Sequence, residues 1–189
     1  MTRFSESNNS RRRASAFALC VVMATVMATP MVSLQAATVQ VGFSPEGSAQ
    51  TLVLDVIRSA KQDIRVMGYD FTAPDIAHAL VEAHKRGVDV KVVLDARSND
   101  GRASVAAMNV LVNGGVELRT IDRYKIQHDK VIIADGQTVE TGSFNYTSSA
   151  ERTNSENAVV IWNFPDVAAS FQRHWQSRWE QGVAYSSKY

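Results

Sequence analysis

Residues 126–145 contain the side chains of this sequence that are best suited to carry out chemistry. His128 and Lys130 stand two residues apart, and Ser143 and Asn145 repeat that spacing further along the chain. Side chains two residues apart on an extended strand project to the same face, so each pair should present its groups together. If the chain folds back between the pairs, one patch offers a nucleophile or base, a permanent cation, a hydroxyl and an amide. Such a patch could hold an anion and react with it, and the stretch contains no cluster of metal ligands.

The residues that separate the two pairs predict a hairpin. The β-branched run at 131–133 is typical of a buried strand. Asp135-Gly136 is a turn signal, and residues 137–141 can pair back as the second strand. Asp135 should therefore lie past the first strand and away from His128, where its carboxylate fixes the turn through bonds to the backbone. We assign Asp135 a structural role rather than a catalytic one.

The rest of the sequence alternates predicted strands and helices, which implies a largely parallel sheet with helices packed against it. Apolar spacing and the positions of proline and glycine mark the boundaries, and Ser44-Pro45 has the pattern of a helix start. The length of 189 residues favours one domain. Outside the hairpin, the predicted strands are 38–43, 63–70, 88–95, 116–120 and 157–162, and the predicted helices are 45–60, 74–86, 102–113 and 165–181.

Taken together, the motif resembles the signature of the phospholipase D superfamily. The resemblance extends to residues 41–50, 68–80, 84–99 and 154–161. Because the motif occurs once in a short chain, the sequence looks like the single-motif, Nuc-type secreted endonucleases of bacteria. This resemblance implies a single-domain α/β fold of the phospholipase D type, with a mixed, largely parallel sheet flanked by helices on both faces. The matching residues, spaced H-x-K-x4-D-x6-G-S-x-N, are His128, Lys130, Asp135, Gly142, Ser143 and Asn145.

The resemblance also implies a role for each polar residue of the site. His128 is the nucleophile, which attacks phosphorus and forms a phosphohistidine that water then hydrolyses. Lys130 neutralises the phosphoryl oxygens, and Asn145 donates its amide hydrogens to them. Ser143 either bonds to the phosphate or orients a neighbour. The family pattern has an acid at Glu156 that bonds the histidine, an ordinary surface glutamate being the alternative, and no metal or other cofactor is expected.

A phosphohistidine mechanism needs an acid for the leaving oxygen, and one motif supplies one histidine. His78 and His84 lie six residues apart on a predicted helix and do not share a face. His174 stands beside Trp175 in the closing helix, where a packing or surface role is expected. A second copy of His128, brought by a twofold axis through the site, supplies the acid. The single-motif relatives imply the same arrangement, so we predict a homodimer with one shared active site.

Residues 1–36 have the layout of a secretory signal. A basic run at 11–13 precedes an uncharged run at 14–32, and small residues follow at Ala36 and Ala37. We expect cleavage near these alanines, which leaves 37–189 as the nuclease domain, in the periplasm and without stable membrane association. A retained membrane anchor is the alternative, although the Ala- and Thr-rich run would span a membrane weakly.

Charge counts do not by themselves point to nucleic acid. Residues 1–36 hold four of the 20 basic and one of the 19 acidic residues, so 16 basic and 18 acidic residues remain and the net charge changes from +1 to −2. A phosphate-binding field must therefore be local. Arg97, Arg123 and Lys125 lie near strand ends or beside the motif and could contact a phosphate backbone, or be ordinary solvated charges.

Three classes of function fit the sequence. The first, which we favour, is a metal-independent endonuclease that cleaves DNA, or RNA, with little sequence specificity. The second is a phospholipase D-type lipid phosphodiesterase, although no apolar entry surface is evident. The third is a non-catalytic phosphate-binding protein, which would not need the nucleophile. Tyr69, Phe71 and Tyr146 could stack on bases in the first class, or they could pack in the core.

Overall fold

The computed structural model of the protein describes residues 1–2 and 36–187. The predicted leader, apart from its ends, and its cysteine Cys20 therefore lie outside the described residues. The strands are β1 (Thr38–Ser44), β2 (Asp63–Gly68), β3 (Asp89–Asp95), β4 (Glu117–Ile121), β5 (Lys130–Ala134), β6 (Thr138–Gly142), β7 (Glu156–Trp162) and β8 (Val183–Ala184). The helices are α1 (Ser48–Ser59), α2 (Pro74–Lys85), α3 (Arg102–Asn113), α4 (Ser148–Arg152) and α5 (Pro165–Gln181).

The strands form one mixed sheet in the order β1-β7-β6-β5-β2-β3-β4-β8. β2, β3 and β4 are parallel neighbours, because α2 and α3 carry the chain back between them. The other neighbouring pairs of described strands are antiparallel, and β5 and β6 are joined by the predicted turn at Asp135-Gly136. The predicted mixed α/β sheet is confirmed, but its largely parallel character is limited to the segment from β2 to β4.

Helices cover both faces of this sheet, as predicted. α1, α2 and α3 pack on one face and share the larger apolar cluster with residues such as Val66 and Ile132. α5 packs on the other face through Ala168, Trp175 and Trp179. The indole nitrogen of Trp175 donates to the carbonyl of Val66 at 3.0 Å, which fixes α5 over β2. Burial from both sides explains why the central strands are rich in β-branched residues.

The predicted element boundaries hold for most of the chain and fail at the first helix. α3 and α5 occupy the predicted ranges 102–113 and 165–181. α1, however, begins at Ser48 after Gly47, whose φ is 86°, and not at Ser44-Pro45. Ser44 instead extends β1, because it pairs with Glu156 of β7. Among the described residues, no helix combines the length and apolar character needed to cross a membrane.

Candidate active site

Three neighbouring strands bring the predicted site residues to one end of the sheet. β5 begins at Lys130 and pairs antiparallel with β6, so the start of one lies beside the end of the other. β7 begins at Glu156, and Gly142 at the end of β6 pairs with Ala158. The predicted site residues therefore lie just before or at the start of β5, just after β6, or at the start of β7: His128, Lys130, Ser143, Asn145 and Glu156.

His128 presents an exposed imidazole at this end of the sheet. The ring of Tyr69, which follows β2, meets it at an angle of 60° with the two centroids 4.7 Å apart. The same tyrosine ring lies 5.3 Å from the Nζ atom of Lys130. In the described part of the chain, neither ring nitrogen of His128 has a hydrogen-bond partner. The imidazole is thus held by ring packing while its nitrogens are accessible to a phosphodiester.

Lys130 is buried, with 6% of its surface exposed. Its Nζ atom donates to the carbonyl oxygen of His128 at 3.0 Å, which ties the ammonium to the backbone of that residue. Burial lowers the pKa of Lys130, and the carboxylates of Asp70, Glu156 and Asp129 oppose that shift. Because these carboxylates favour the charged form, the site can present a cation to the phosphoryl oxygens of a substrate.

Ser143 and Glu156 are joined directly. The Ser143 hydroxyl donates to the Glu156 carboxylate at 2.6 Å and accepts the backbone N–H of Asn157 at 3.1 Å. The other Glu156 oxygen accepts from the Asn154 amide at 2.9 Å. This arrangement favours the orienting role for Ser143 over direct phosphate binding. Within the described chain Glu156 does not bond to His128, so the expected carboxylate–histidine bond is not formed inside one subunit.

Asn145 lies between two buried aromatic residues, Phe144 and Tyr146. Its side-chain oxygen is buried and has no hydrogen-bond partner among the described residues, so the carboxamide is not committed to another group of the chain. Gly142 makes the approach to this segment possible, because a Cβ atom there would overlap the carbonyl oxygen of Asn157. Only glycine allows β6 to lie so close to β7 just before the site begins.

The loop 122–127, which leads into His128, is held by two residues that end or follow β3. The Asp95 carboxylate accepts the backbone N–H of Gln127 at 2.7 Å. The Arg97 guanidinium donates to three backbone carbonyls of the loop at 3.1 to 3.2 Å. The guanidinium of Arg97 thus shapes this loop, and its expected contact with a phosphate backbone stays a prediction.

Arg123 and Lys125, the other two predicted phosphate contacts, are exposed on the same loop. Across the described residues, neither side chain forms an ion pair or a hydrogen bond. Two cations therefore stand close in sequence to His128, and among the described residues their charges are unpaired. Their contact with a phosphate backbone stays a prediction that this geometry permits.

Asp135 lies at the far end of β5, away from His128, and has a φ of 54°. Its carboxylate accepts the backbone N–H groups of Lys61 at 2.9 Å, Gln62 at 2.7 Å and Asp63 at 3.1 Å. The side chain therefore anchors the start of β2 rather than its own turn. The expected structural role fits these contacts, but the segment that Asp135 holds differs from the one expected.

Sequence reasoning named Tyr69 only as a residue that could stack on bases or pack in the core, and it missed Asp95. Both stand at the carboxyl ends of adjacent parallel strands, where α/β sheets commonly position functional groups, and that position was the available signal. Phe71 and Tyr146 are fully buried and meet edge to face with centroids 6.4 Å apart. They pack in the core, so Tyr69 is the member of this aromatic set that reaches the site.

The arrangement is suited to nucleophilic substitution at phosphorus. It places an exposed imidazole and an ammonium near the same tyrosine ring, with an amide and a carboxylate at the same end of the sheet. Among the described residues, no group of three or more His, Cys, Asp or Glu side chains could hold a metal ion. Among the described residues, Lys130 supplies positive charge inside the site.

Comparison with known proteins identifies several similar chains. Residues 53–179 match the family model described as "Cardiolipin synthase, PLD-like domain". The crystal structure of Nuc, a phospholipase D family member from Salmonella typhimurium, has a TM-score of 0.80 and 64% sequence identity, and the match covers 80% of this chain and 100% of that one. Phospholipase D of Rickettsia bellii is 35% identical over 136 residues, 72% of this chain and 66% of the relative. Mitochondrial cardiolipin hydrolase of Xenopus tropicalis is 30% identical over 135 residues, 71% of this chain and 62% of the relative, so the chain spans somewhat less than two thirds of these curated relatives.

Proposed function

The chain belongs to the phospholipase D-like family, and on this premise we propose that it is a hydrolase that cleaves phosphodiesters through a phosphohistidine intermediate. The observation that carries the proposal is that the exposed imidazole of His128 and the buried ammonium of Lys130 lie near the same ring, that of Tyr69, while the Lys130 Nζ atom lies 3.0 Å from the His128 carbonyl. A nucleophile and a transition-state cation thus occupy one site.

In the proposed reaction, a nitrogen of His128 attacks phosphorus, the N–P bond forms, and the P–O bond to the leaving oxygen breaks. Lys130 and the Asn145 amide stabilise the charge on the phosphoryl oxygens. A general acid donates a proton to the leaving oxygen. Water then attacks the phosphohistidine, the N–P bond breaks to regenerate the imidazole, and the proton of the water returns to the base that the acid became.

We propose that the substrate is nucleic acid, and DNA is the first substrate to test. This assignment is supported by the 64% identity to Nuc over the whole of that chain and by the presence of one copy of the motif in this chain. Arg123 and Lys125 add exposed cations on the loop that carries the nucleophile. Contacts of this kind hold the backbone and carry no sequence information, so cleavage should be nonspecific.

A lipid phosphodiesterase is the alternative, and the relatives supply the observation that favours it. A Rickettsia relative is a phospholipase D and a Xenopus relative is a cardiolipin hydrolase. The chemistry at phosphorus is the same for both substrates, so the site geometry does not separate them. Activity on DNA compared with activity on vesicles that contain cardiolipin does.

The acid for the leaving oxygen is proposed to be His128 of the partner subunit in a homodimer. The β1 strip, which we define as Val39, Val41 and Phe43, is 64%, 52% and 53% exposed. Exposed apolar residues in a row mark interaction surfaces. The strip leads toward the site, because Ser44, the residue after Phe43, pairs with Glu156. A second copy of this chain that packs on the β1 strip would therefore cover these apolar side chains and also complete the site.

The first experiment is plasmid cleavage by the purified protein in excess EDTA. The wild type should cleave, and His128→Ala should lose activity by at least about three orders of magnitude while it stays folded. His78→Ala is the matched control, since His78 is exposed on α2. Equal cleavage by wild type and His128→Ala would remove His128 from the nucleophile role. Vesicle hydrolysis without plasmid cleavage would establish the lipid alternative.

Native mass measurement tests the dimer. The wild type should have twice the mass of one chain, and Phe43→Asp should shift the population to monomer with parallel loss of activity. An active monomer would contradict the shared site. The mass of the protein recovered from a periplasmic extract tests the proposed removal of residues 1–36 and the proposed location at once.

A further inference from the structure

Glu140 is a buried acidic residue that the proposed chemistry does not use. It has 0% exposure and lies within β6, paired with Ile132 of β5 and Val160 of β7. Its Oε2 atom accepts the hydroxyl of Tyr146 at 2.9 Å, and its Oε1 atom has no hydrogen-bond partner among the described residues. An ionised carboxylate in such surroundings is costly, whereas a neutral carboxyl is tolerated.

Tyr146 links this carboxyl to a second part of the fold. Its carbonyl oxygen accepts the backbone N–H groups of Thr72 at 2.9 Å and Ala73 at 3.0 Å, in the loop between β2 and α2. An isolated parallel bridge also joins Tyr146 to Phe71. The backbone is therefore fixed to that loop, while the hydroxyl is fixed to β6 through Glu140.

Asn145 depends on this anchor because its own side chain is not held. In the described part of the chain the carboxamide of Asn145 makes no hydrogen bond, so its direction is set by the backbone and by the two residues that flank it. Phe144 and Tyr146 are both buried, 1% and 0% exposed. A displacement of Tyr146 would be transmitted to Asn145 across one peptide bond.

We propose that Glu140, in its neutral form, positions Asn145 for the reaction by holding Tyr146. This proposal rests on the proposed function, since it assigns Asn145 to the phosphoryl oxygens. Glu140 touches no substrate in this account, so it is a positioning residue. Ionisation would strengthen the one hydrogen bond from Tyr146, but it would leave a buried charge whose Oε1 atom has no donor among the described residues. The surrounding segments would have to move to admit water to that charge, and Asn145 would shift with Tyr146.

The surroundings of Glu140 support a proton-dependent role. Burial raises the pKa of Glu140 to about 8, and the hydrogen bond from Tyr146 opposes that shift. On α1, which packs over the same strands, the charged side chains are paired with each other at 3.9 Å and half or more exposed, so they do not neutralise the carboxyl. The titratable and charged groups on the elements packed against Glu140 are Tyr146, Lys130 of β5, Glu156 of β7, and Asp55 and Arg58 of α1.

The activity test uses the full chain and bis(p-nitrophenyl) phosphate, a probe that reports phosphodiester hydrolysis whatever the natural substrate is. Ionisation of Glu140 should lower the wild-type kcat about tenfold from pH 6 to pH 9, because one unit above a pKa leaves about a tenth of the group protonated, while KM changes little. Glu140→Gln keeps the shape and cannot ionise, so its kcat should fall about tenfold less than that of the wild type over the same range, since the other groups of the site titrate in both proteins. Glu82→Gln, on the exposed surface of α2, is the matched control and should follow the wild type. An unchanged alkaline fall in Glu140→Gln would overturn the proposal.

Nuclear magnetic resonance of the ligand-free protein supplies an independent readout. The side-chain amide signals of Asn145 should shift with a midpoint near pH 8 in the wild type, and this shift should be absent in Glu140→Gln. Tyr146→Phe should displace the same signals at every pH, which keeps the test open if Glu140→Gln does not fold. If the Asn145 signals change neither with pH nor in Tyr146→Phe, the positioning role is overturned. If the wild type hydrolyses no phosphodiester, the proposed function fails, and the amide titration still decides the positioning role.

Discussion

Replacing Glu140 by glutamine should change how the stability of the protein depends on pH. The carboxyl is fully buried in β6 and has one hydrogen bond, from the Tyr146 hydroxyl at 2.9 Å. Burial raises its pKa from an ordinary value of 4.5 to about 8. In the unfolded chain the same carboxyl is in water and titrates near its ordinary value. Folding therefore changes the proton affinity of this group, and stability must depend on pH as a result.

The sign follows from where the proton is bound. Between pH 4.5 and about 8 the folded protein keeps a proton on Glu140 that the unfolded chain has released. The contribution of Glu140 to the free energy of unfolding is fully present below pH 4.5, the pKa in the unfolded chain, and it is lost as the pH rises through about 8, the pKa in the folded protein. The slope is about 1.4 kcal/mol per pH unit, and the whole interval corresponds to a loss on the order of 5 kcal/mol.

Urea unfolding measured at intervals between pH 5 and pH 9 tests this linkage. The free energy of unfolding of Glu140→Gln, minus that of the wild type, should rise by about 1.4 kcal/mol per pH unit up to pH 8 and level off above it. Glu82→Gln should run parallel to the wild type over this range. The hydrogen bond from Lys85 lowers the pKa of Glu82, so its contribution changes only in more acidic solution. Parallel curves for Glu140→Gln and the wild type would refute the neutral buried carboxyl.

Three further substitutions test the frame of the site. Gly142→Ala should lower the free energy of unfolding, measured by thermal melts, by about 3 kcal/mol, because the new Cβ overlaps the Asn157 carbonyl. Gly101→Ala is the control, and it should be tolerated because a Cβ there meets open space. Asp135→Ala should cost about 2 kcal/mol in urea unfolding, since three backbone donors lose their acceptor; an unchanged midpoint would deny it the anchoring role. Arg97→Ala should reduce kcat about tenfold with little change in KM, because the loop that carries the nucleophile loses three hydrogen bonds. A change in KM with kcat unchanged would instead indicate that Arg97 binds the substrate.

The hairpin and the position of the site could be predicted because they depend on local signals. The β-branched run and the Asp135-Gly136 turn specify the hairpin, and β5 and β6 follow that pattern. Of the residues paired at a spacing of two, Lys130 lies within a strand, whereas His128, Ser143 and Asn145 lie just outside the strands. The ranges of α3 and α5 likewise follow from apolar periodicity with proline or glycine at the ends. Each of these features is determined within about twenty residues of sequence.

Contacts between distant segments could not be predicted in the same way. Asp135 bonds to Lys61 and its two successors, more than 70 positions earlier in the chain. The donors of Arg97 go to a loop some 25 positions later. The helix start expected at Ser44 failed because pairing of that residue with Glu156, across the sheet, outweighed the local capping pattern. Tertiary pairing of this kind overrides local propensity, and it also made most strand neighbours antiparallel where alternation suggested parallel.

Several groups of the described chain lack a partner, and a second copy of the chain would supply one for each of them. His128 has no hydrogen-bond partner among the described residues, and Glu156, the acid expected to orient it, is bonded to Ser143 and Asn154 instead. His174 belongs to α5, which packs on the sheet face opposite Ile132, and its ring contacts Asp129 at 3.4 Å, so we do not assign it to the leaving oxygen. The β1 strip leaves three apolar side chains exposed on the strand that ends at the site. A twofold-related copy would cover the strip and supply the missing acid in one step, so loss of the dimer should abolish turnover even when the fold of each chain is intact.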